Sequence, residues 1–167
     1  MAFFYEDVLR ALQDGDVRFV LVGGTAVILH GVPRTTADLD IVIDLEESNV
    51  RRLVEAMTRL GFHPRAPVPP ADLASAERRR EWIEGKGMRA FTFQRPGRLL
   101  DEVDVVIDCP LAFAELTREA RVLEAAGLRL PVASPRHLIR MKEATGRDQD
   151  AADADALRRL LDAESRE

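Results

Sequence analysis

Cysteine is nearly absent: Cys109 stands alone among 167 residues. An internal disulfide framework is therefore excluded, and so is a cysteine-rich zinc site. No apolar run approaches the roughly 18 residues of a membrane span. The opening MAFFYEDVLRAL carries acids early and lacks a basic stretch ahead of an apolar one, unlike a secretory signal. These absences predict a cytoplasmic protein. Excess positive charge is missing too, since 24 Lys and Arg face 29 Asp and Glu for a net −5. Overall charge thus gives no argument for nucleic-acid binding, which would have to rest on local patches. Neither familiar phosphate loop occurs, GxxxxGK[ST] or GxGxxG.

What is present describes a globular chain, 46% hydrophobic and 32% charged. The length suits one domain over residues 1–167, and no repeat, low-complexity tract or boundary divides it. Val8, Leu9 and Leu12 give a helical period to the segment from Tyr5 to Asp14. VRFVLV, Val17 to Val22, is a short buried strand ending at glycines, and TAVILHG after it is a short helix stopped by Gly31 and Pro33. DLDIVID alternates acids and Val42 against Leu39, Ile41 and Ile43, a strand with one apolar face. EESNVRRLVEAMTRLG is an amphipathic helix. Pro64, Pro67, Pro69 and Pro70 mark a loop, and Ala71 to Gly85 is expected as one peripheral helix. Strands follow at Met88–Gln94 and Glu102–Asp108, joined by the turn RPGR, then a helix after Pro110 and a short strand LRLPVA. Ser134 and Pro135 open another helix ended by Gly146, and a last helix covers RDQDAADADALRRLLDAE.

Residues two apart on a strand share a face, so Asp38 and Asp40 project together, about 6.5–7 Å apart. Neighbouring carboxylates repel, and a divalent cation relieves them; hard oxygen ligands suit magnesium or manganese rather than zinc. The same pair would also be at home on a solvated sheet face. Gly23 and Gly24 lie between a buried strand and a helix, where missing side chains let backbone amides approach a phosphate, and Thr25 adds a hydroxyl. For two glycines alone, a tight strand-to-helix turn needing positive φ is the better account.

Taken together, VGGTAVILHGVPRTTADLDIVID resembles the signature of the nucleotidyltransferase superfamily, the polymerase-beta-like fold. HGVPRTTADLDI and LIRMKEATGRDQDAAD resemble a bacterial branch that includes Abi-type toxin nucleotidyltransferases. The likeness runs over about residues 17 to 160. It implies an α/β fold, a nucleotidyltransferase-like mixed β-sheet packed by helices, with C-terminal helices. It also implies a third acid on a later strand. Asp104, inside the apolar run of LDEVDVVIDCP, fits that place best; Asp108 competes for it from a position where it could instead cap the next helix. Asp44 is taken as structural. Many members of the family have serine where this chain has Gly24.

The resemblance further implies a metal-dependent enzyme that moves a nucleoside monophosphate from a nucleoside triphosphate to an acceptor hydroxyl. Asp38, Asp40 and Asp104 would be the catalytic and metal-holding acids for Mg2+ or Mn2+. Gly23, Gly24, Thr25, Arg34 and Lys142 would bind the triphosphate, with Arg140 and Arg147 as alternatives to Lys142. The acceptor would be an RNA terminus, and a cognate antitoxin protein the partner. Two other readings stay open: a small-molecule transferase of the antibiotic-modifying kind, and a catalytically silent nucleotide- or partner-binding module. His30 suits a helix-end hydrogen bond, while His63 and His137 have no pattern. The acids Asp148, Asp150, Asp153 and Asp155 lack the glycine of a calcium loop and are expected on a solvated helix face. Arg78, Arg79 and Arg80 form a small basic cluster on a peripheral helix.

Overall fold

The computed structural model describes residues 4–97 and 101–166. Arg98, the last residue of the expected RPGR turn, and Met1 to Phe3 of the opening segment lie outside the described residues. The chain runs α1 (Glu6–Asp14), β1 (Phe19–Val22), α2 (Gly23–Leu29), β2 (Leu39–Ile43), α3 (Glu47–Arg59) and β3 (His63–Pro64). A 3-10 turn (Pro70–Ala74), α4 (Ala76–Arg80) and a π-helical turn (Glu81–Gly85) follow. Then come β4 (Ala90–Gln94), β5 (Glu102–Val106), α5 (Phe113–Arg118), β6 (Arg121–Ala125), β7 (Leu128–Val132), α6 (Pro135–Glu143) and α7 (Asp148–Glu164).

The strands form one mixed sheet in the order β3-β4-β5-β2-β1-β7-β6. β2 runs parallel to β5 and β1 parallel to β7, while the remaining pairs are antiparallel. Alternation sorts the two faces. Leu39, Ile41, Val103, Val105, Phe91 and Phe93 lie on one face and are all essentially sealed from water. At roughly 1.5–3 kcal/mol for each such side chain, that face fixes which way β2, β4 and β5 turn. The opposite face carries Asp40, Asp104 and Thr92, all half-buried.

Two expectations need correction. Ala71 to Gly85 is three short pieces rather than one helix, because Ser75 adopts extended backbone and its hydroxyl caps a new helix at the Arg78 N–H. The widened turn after α4 then carries Trp82 into the core against Phe91, ring centroids 5.5 Å apart. Arg121 to Ala125, given no element from its sequence, is the edge strand β6. It pairs with β7 through a two-residue turn, Ala126 and Gly127, both at positive φ (51° and 72°). That geometry suits the twist of a hairpin.

Asn49, fully buried in the first turn of α3, ties the helix to the ends of β1 and β2. Its amide donates to the Arg18 carbonyl at 3.0 Å and the Asp44 carbonyl at 2.7 Å, and its oxygen accepts the Arg18 N–H at 2.7 Å. Asn49→Ala strands the Arg18 N–H and the Asp44 carbonyl, each costing about 1–3 kcal/mol when left unmade, while the Arg18 carbonyl keeps the Asp44 N–H. The variant is expected to lose about 3 kcal/mol in urea denaturation with an unchanged m-value.

Candidate active site

The site is built from strand register. Asp40 lies opposite Val22 of β1 on one side and opposite Asp104 of β5 on the other. Strands lie about 4.8 Å apart, so the Asp40 and Asp104 carboxylates stand side by side on one face. The next strand adds Thr92 opposite Asp104, and its hydroxyl donates to Asp104 Oδ1 at 2.6 Å. Both carboxyls resist ionisation. Asp40 is pushed up to about 7, first by burial and then by Asp104 and Asp38. Asp104 is also raised, by burial first, with the Thr92 hydrogen bond opposing it and Asp38 adding to it.

Asp38 departs from the expected geometry. β2 begins at Leu39, so Asp38 sits in a bend just ahead of the strand, and the neighbour on Asp40's own face is Asp104. Thr25, expected at the phosphates, is buried, and its hydroxyl reaches the Asp38 carbonyl at 3.4 Å. Thr36 reaches the same carbonyl at the same distance.

The glycine pair has a reason the sequence does not show. Both residues form the first turn of α2, which starts two positions earlier than expected. Gly23 has φ +66°, and a Cβ placed on it would lie 2.0 Å from Asp40 Oδ2. The Gly24 N–H is hydrogen-bonded to the Asp40 carboxylate. A Cβ on Gly24 would meet Thr36 Oγ1 at 2.7 Å and Arg34 Cζ at 3.0 Å. The loop before Asp38 therefore closes onto Gly24.

A cavity of about 560 Å³ is lined by Gly23, Asp40, Asp104, Lys142, Arg89 and Asp108 among others, whereas Asp38, Gly24, Thr25 and Arg34 stand outside its lining. Lys142 Nζ bonds Asp150 at 2.7 Å and Asp153 at 2.9 Å. Arg34 pairs with the same Asp153. Asp150 and Asp153 are buried, so the solvated face expected for the acids of α7 is wrong at these two positions: they point inward because two cations meet them there. Burial opposes ionisation of Asp150, yet hydrogen bonds from Lys142 and Thr145 together hold its carboxyl below the usual range. Of the two alternatives to Lys142, Arg140 is drawn away to Glu115 at 2.8 Å, whereas Arg147 lines the cavity and bonds Asp150 at 2.9 Å.

The remaining candidates divide clearly. Asp108 is exposed on the cavity wall and caps nothing, since the next helix starts after Ala112. Asp44 is structural as expected, pairing with Arg18 at 3.1 Å and accepting the Glu46 N–H. His30 bonds the Ala133 carbonyl at 2.8 Å. Arg78 is engaged by Glu81 and Asp72, and Arg79 donates to the Leu73 carbonyl. Three residues escaped the sequence reading: Arg89 on the cavity wall, Thr92 on Asp104, and Tyr5, whose phenol donates to the Ala37 carbonyl. Thr92 alone left a trace, as a polar residue between Phe91 and Phe93.

Residues 7–145 match the family described as nucleotidyl transferase AbiEii toxin, type IV toxin–antitoxin system. The chain belongs to that family. It is therefore a nucleotidyltransferase of a toxin–antitoxin family. In fold it is similar to ANT(2″)-Ia, crystallised in complex with adenylyl-2″-tobramycin. The TM-score there is 0.59 at 13% identity, covering 95% of this chain and 88% of that one. The solution structure of the antibiotic-resistance factor ANT(2″)-Ia gives a TM-score of 0.54 at 14% identity, covering 95% and 89%. A Thermotoga maritima protein assigned to the nucleotidyltransferases gives 0.52 at 17% identity, covering 93% and 89%. No curated protein matches the chain in sequence. Among the described residues, no helix is long and apolar enough to cross a membrane.

The donor set fits a divalent cation of the magnesium kind. Asp40 and Asp104 are hard oxygen ligands whose mutual repulsion such an ion would relieve. Among the described residues, no three His, Cys, Asp or Glu side chains close into a metal cluster of their own. Magnesium is commonly held by one or two carboxylates and completed by substrate phosphates and water.

The raised Asp40 carboxyl has a consequence for stability. The folded state keeps a proton there that the unfolded chain gives up near the ordinary value of 3.8. Between about pH 4 and about pH 7 the folded protein binds more protons, so metal-free stability falls as pH rises through that window and levels off above it. Asp40→Asn should remove this component of the slope and raise the melting temperature of the metal-free protein above pH 7. Calorimetry of both proteins across pH checks it; parallel curves would refute the assignment.

Proposed function

We propose that this nucleotidyltransferase is metal-dependent, with Asp38, Asp40 and Asp104 as its catalytic and metal-holding acids. The observation that carries the reading is the register of Asp40 with Asp104 beside Gly23, in one cavity with Lys142. Mg2+ or Mn2+, when bound, supplies positive charge at the attacking and leaving oxygens of an in-line displacement. The chain's own residues do the rest. Gly23 and Gly24 let the nucleoside triphosphate come close to Asp40, with Thr25 beneath them steadying Asp38. Lys142, on the cavity wall, would meet the outer phosphates, with Arg34 behind it on the shared Asp153. Asp104, aimed by Thr92, orients the acceptor hydroxyl. The hydroxyl oxygen bonds to the α-phosphorus and gives up its proton to solvent, the bond from that phosphorus to the bridging oxygen breaks, and pyrophosphate leaves.

Pyrophosphate release with a nucleoside triphosphate tests the reading. Asp38→Asn and Asp40→Asn are expected to lower transfer by at least about a hundredfold to a thousandfold without unfolding the protein. Asp104→Ala should lose transfer while still binding triphosphate, and Asp108→Ala should keep activity. Full activity in the Asp40 variant would sink the proposal.

Membership of a toxin–antitoxin family supports a cognate antitoxin protein as the partner, and the acceptor in this reading is an RNA terminus. The surface is consistent with an end rather than a track. The net charge is −5, and Arg78 and Arg79 are engaged within the protein. RNA affinity should therefore fall with log salt at a slope of only about −2 to −4, at roughly −0.7 for each phosphate neutralised on a single strand. Labelling of an amino sugar with none of RNA would instead favour a small-molecule acceptor, as adenylyl-2″-tobramycin is bound to ANT(2″)-Ia.

A further inference from the structure

We propose that Tyr5 is a positioning residue: from the start of α1 its phenol holds the Ala37 carbonyl and so presents Asp38 beside Asp40. This rests on the reading of Asp38 as a site acid. Tyr5 is 4% exposed, and its hydroxyl bond to Ala37 bridges 32 positions of sequence. The loop needs such a hold. Asp38 lies outside the β2 ladder, and the Thr25 and Thr36 hydroxyls reach its carbonyl at 3.4 Å, near the outer limit of a hydrogen bond. Arg34 ties the loop further back, at Asp153.

α1, by contrast, is firmly set. Val8, Leu9 and Leu12 are sealed in the core. Arg95 joins Asp7 of the helix, at 2.8 Å, to buried Asp101, at 2.6 Å, and lies over the Phe62 ring. A donor fixed to a packed helix thus sets a carbonyl one residue from Asp38. The phenol also lies in the field of the acids. Burial, then Asp38, Asp101, Asp40 and Asp104, raise its ionisation above the ordinary value, which keeps it protonated and able to donate. The family match begins at residue 7, so Tyr5 lies outside the matched segment and Ala37 within it.

Tyr5→Phe keeps the buried ring and removes only the hydroxyl. Mn2+ binding by the nucleotide-free protein, followed by the resonance signal of free Mn2+ well below the unfolding transition, is expected to weaken about tenfold. Amide exchange at residues 36–38 is expected to quicken about tenfold, as a loop freed from one anchor opens more often. Val8→Ala weakens the same helix but leaves the hydroxyl in place, and should hold Mn2+ affinity within about twofold of wild type. If Val8→Ala weakens Mn2+ as much as Tyr5→Phe, the effect is lost stability and the proposal is overturned. Asp38→Asn separates the remaining failures. If it loses Mn2+ while Tyr5→Phe binds and exchanges like wild type, positioning by Tyr5 is overturned and the site reading stands. If Asp38→Asn binds Mn2+ and transfers nucleotide like wild type, the site reading falls and takes this inference with it.

Discussion

Two carboxylates standing opposite each other on neighbouring strands repel, and the sheet gives them no room to part. Asp40 and Asp104 are held in this position by residues on the other side of the sheet. Leu39, Ile41, Val103 and Val105 are sealed in the core, and a slip of one residue in either strand would turn them all toward water. The apolar face thus fixes the register, and the register fixes the acids. Core packing decides the outcome, and the acids answer with raised proton affinity, owed first to burial and then to neighbouring carboxylates.

The parts around the pair follow from that crowding. Asp40 leans directly on the Cα of Gly23, which only glycine permits at this distance and at φ +66°. The turn into α2 can then bring the Gly24 N–H to the Asp40 carboxylate, a dipole that eases the ionised form. Thr92 plays the matching part for Asp104. Each acid has one hydrogen-bond donor of its own, and each donor comes from an adjacent element already locked to the sheet.

Much of this was legible in the residues. The alternation in DLDIVID and EVDVVID marks the strands, and the acids on the polar phase of each are the ones that meet. The order of glycine pair, helix and acids pointed to the right superfamily. Less was legible where one pattern serves two structures. RVLEA has the composition of a helix and becomes an edge strand because the Ala126–Gly127 turn folds it back on β7. Asn49 looks like any polar residue on an amphipathic helix, yet it is fully buried because two strand ends need its amide. Asp150 and Asp153 look like solvated helix acids, and Asp153 gives no local sign of Arg34, 119 positions away. Long-range pairing leaves no period in the sequence.

Those two acids also answer a question of charge balance. Lys142 is near enough to ease the ionisation of Asp40, though less than burial and the other acids hinder it. A lysine in direct contact with Asp40 would satisfy the carboxylate and, under the proposed function, take the place of the metal ion. Asp150 and Asp153 prevent that by gripping Lys142 Nζ at 2.7 and 2.9 Å. Breaking such a buried pair typically costs about 3–5 kcal/mol, so the lysine stays on α7's side of the cavity. The same grip on Arg34 through Asp153 links the loop before Asp38 to α7, so both cations keep their spacing while the acids on the sheet remain unpaired with them. The separation of the cations from Asp40 and Asp104 is therefore as much a part of the site as the acids themselves.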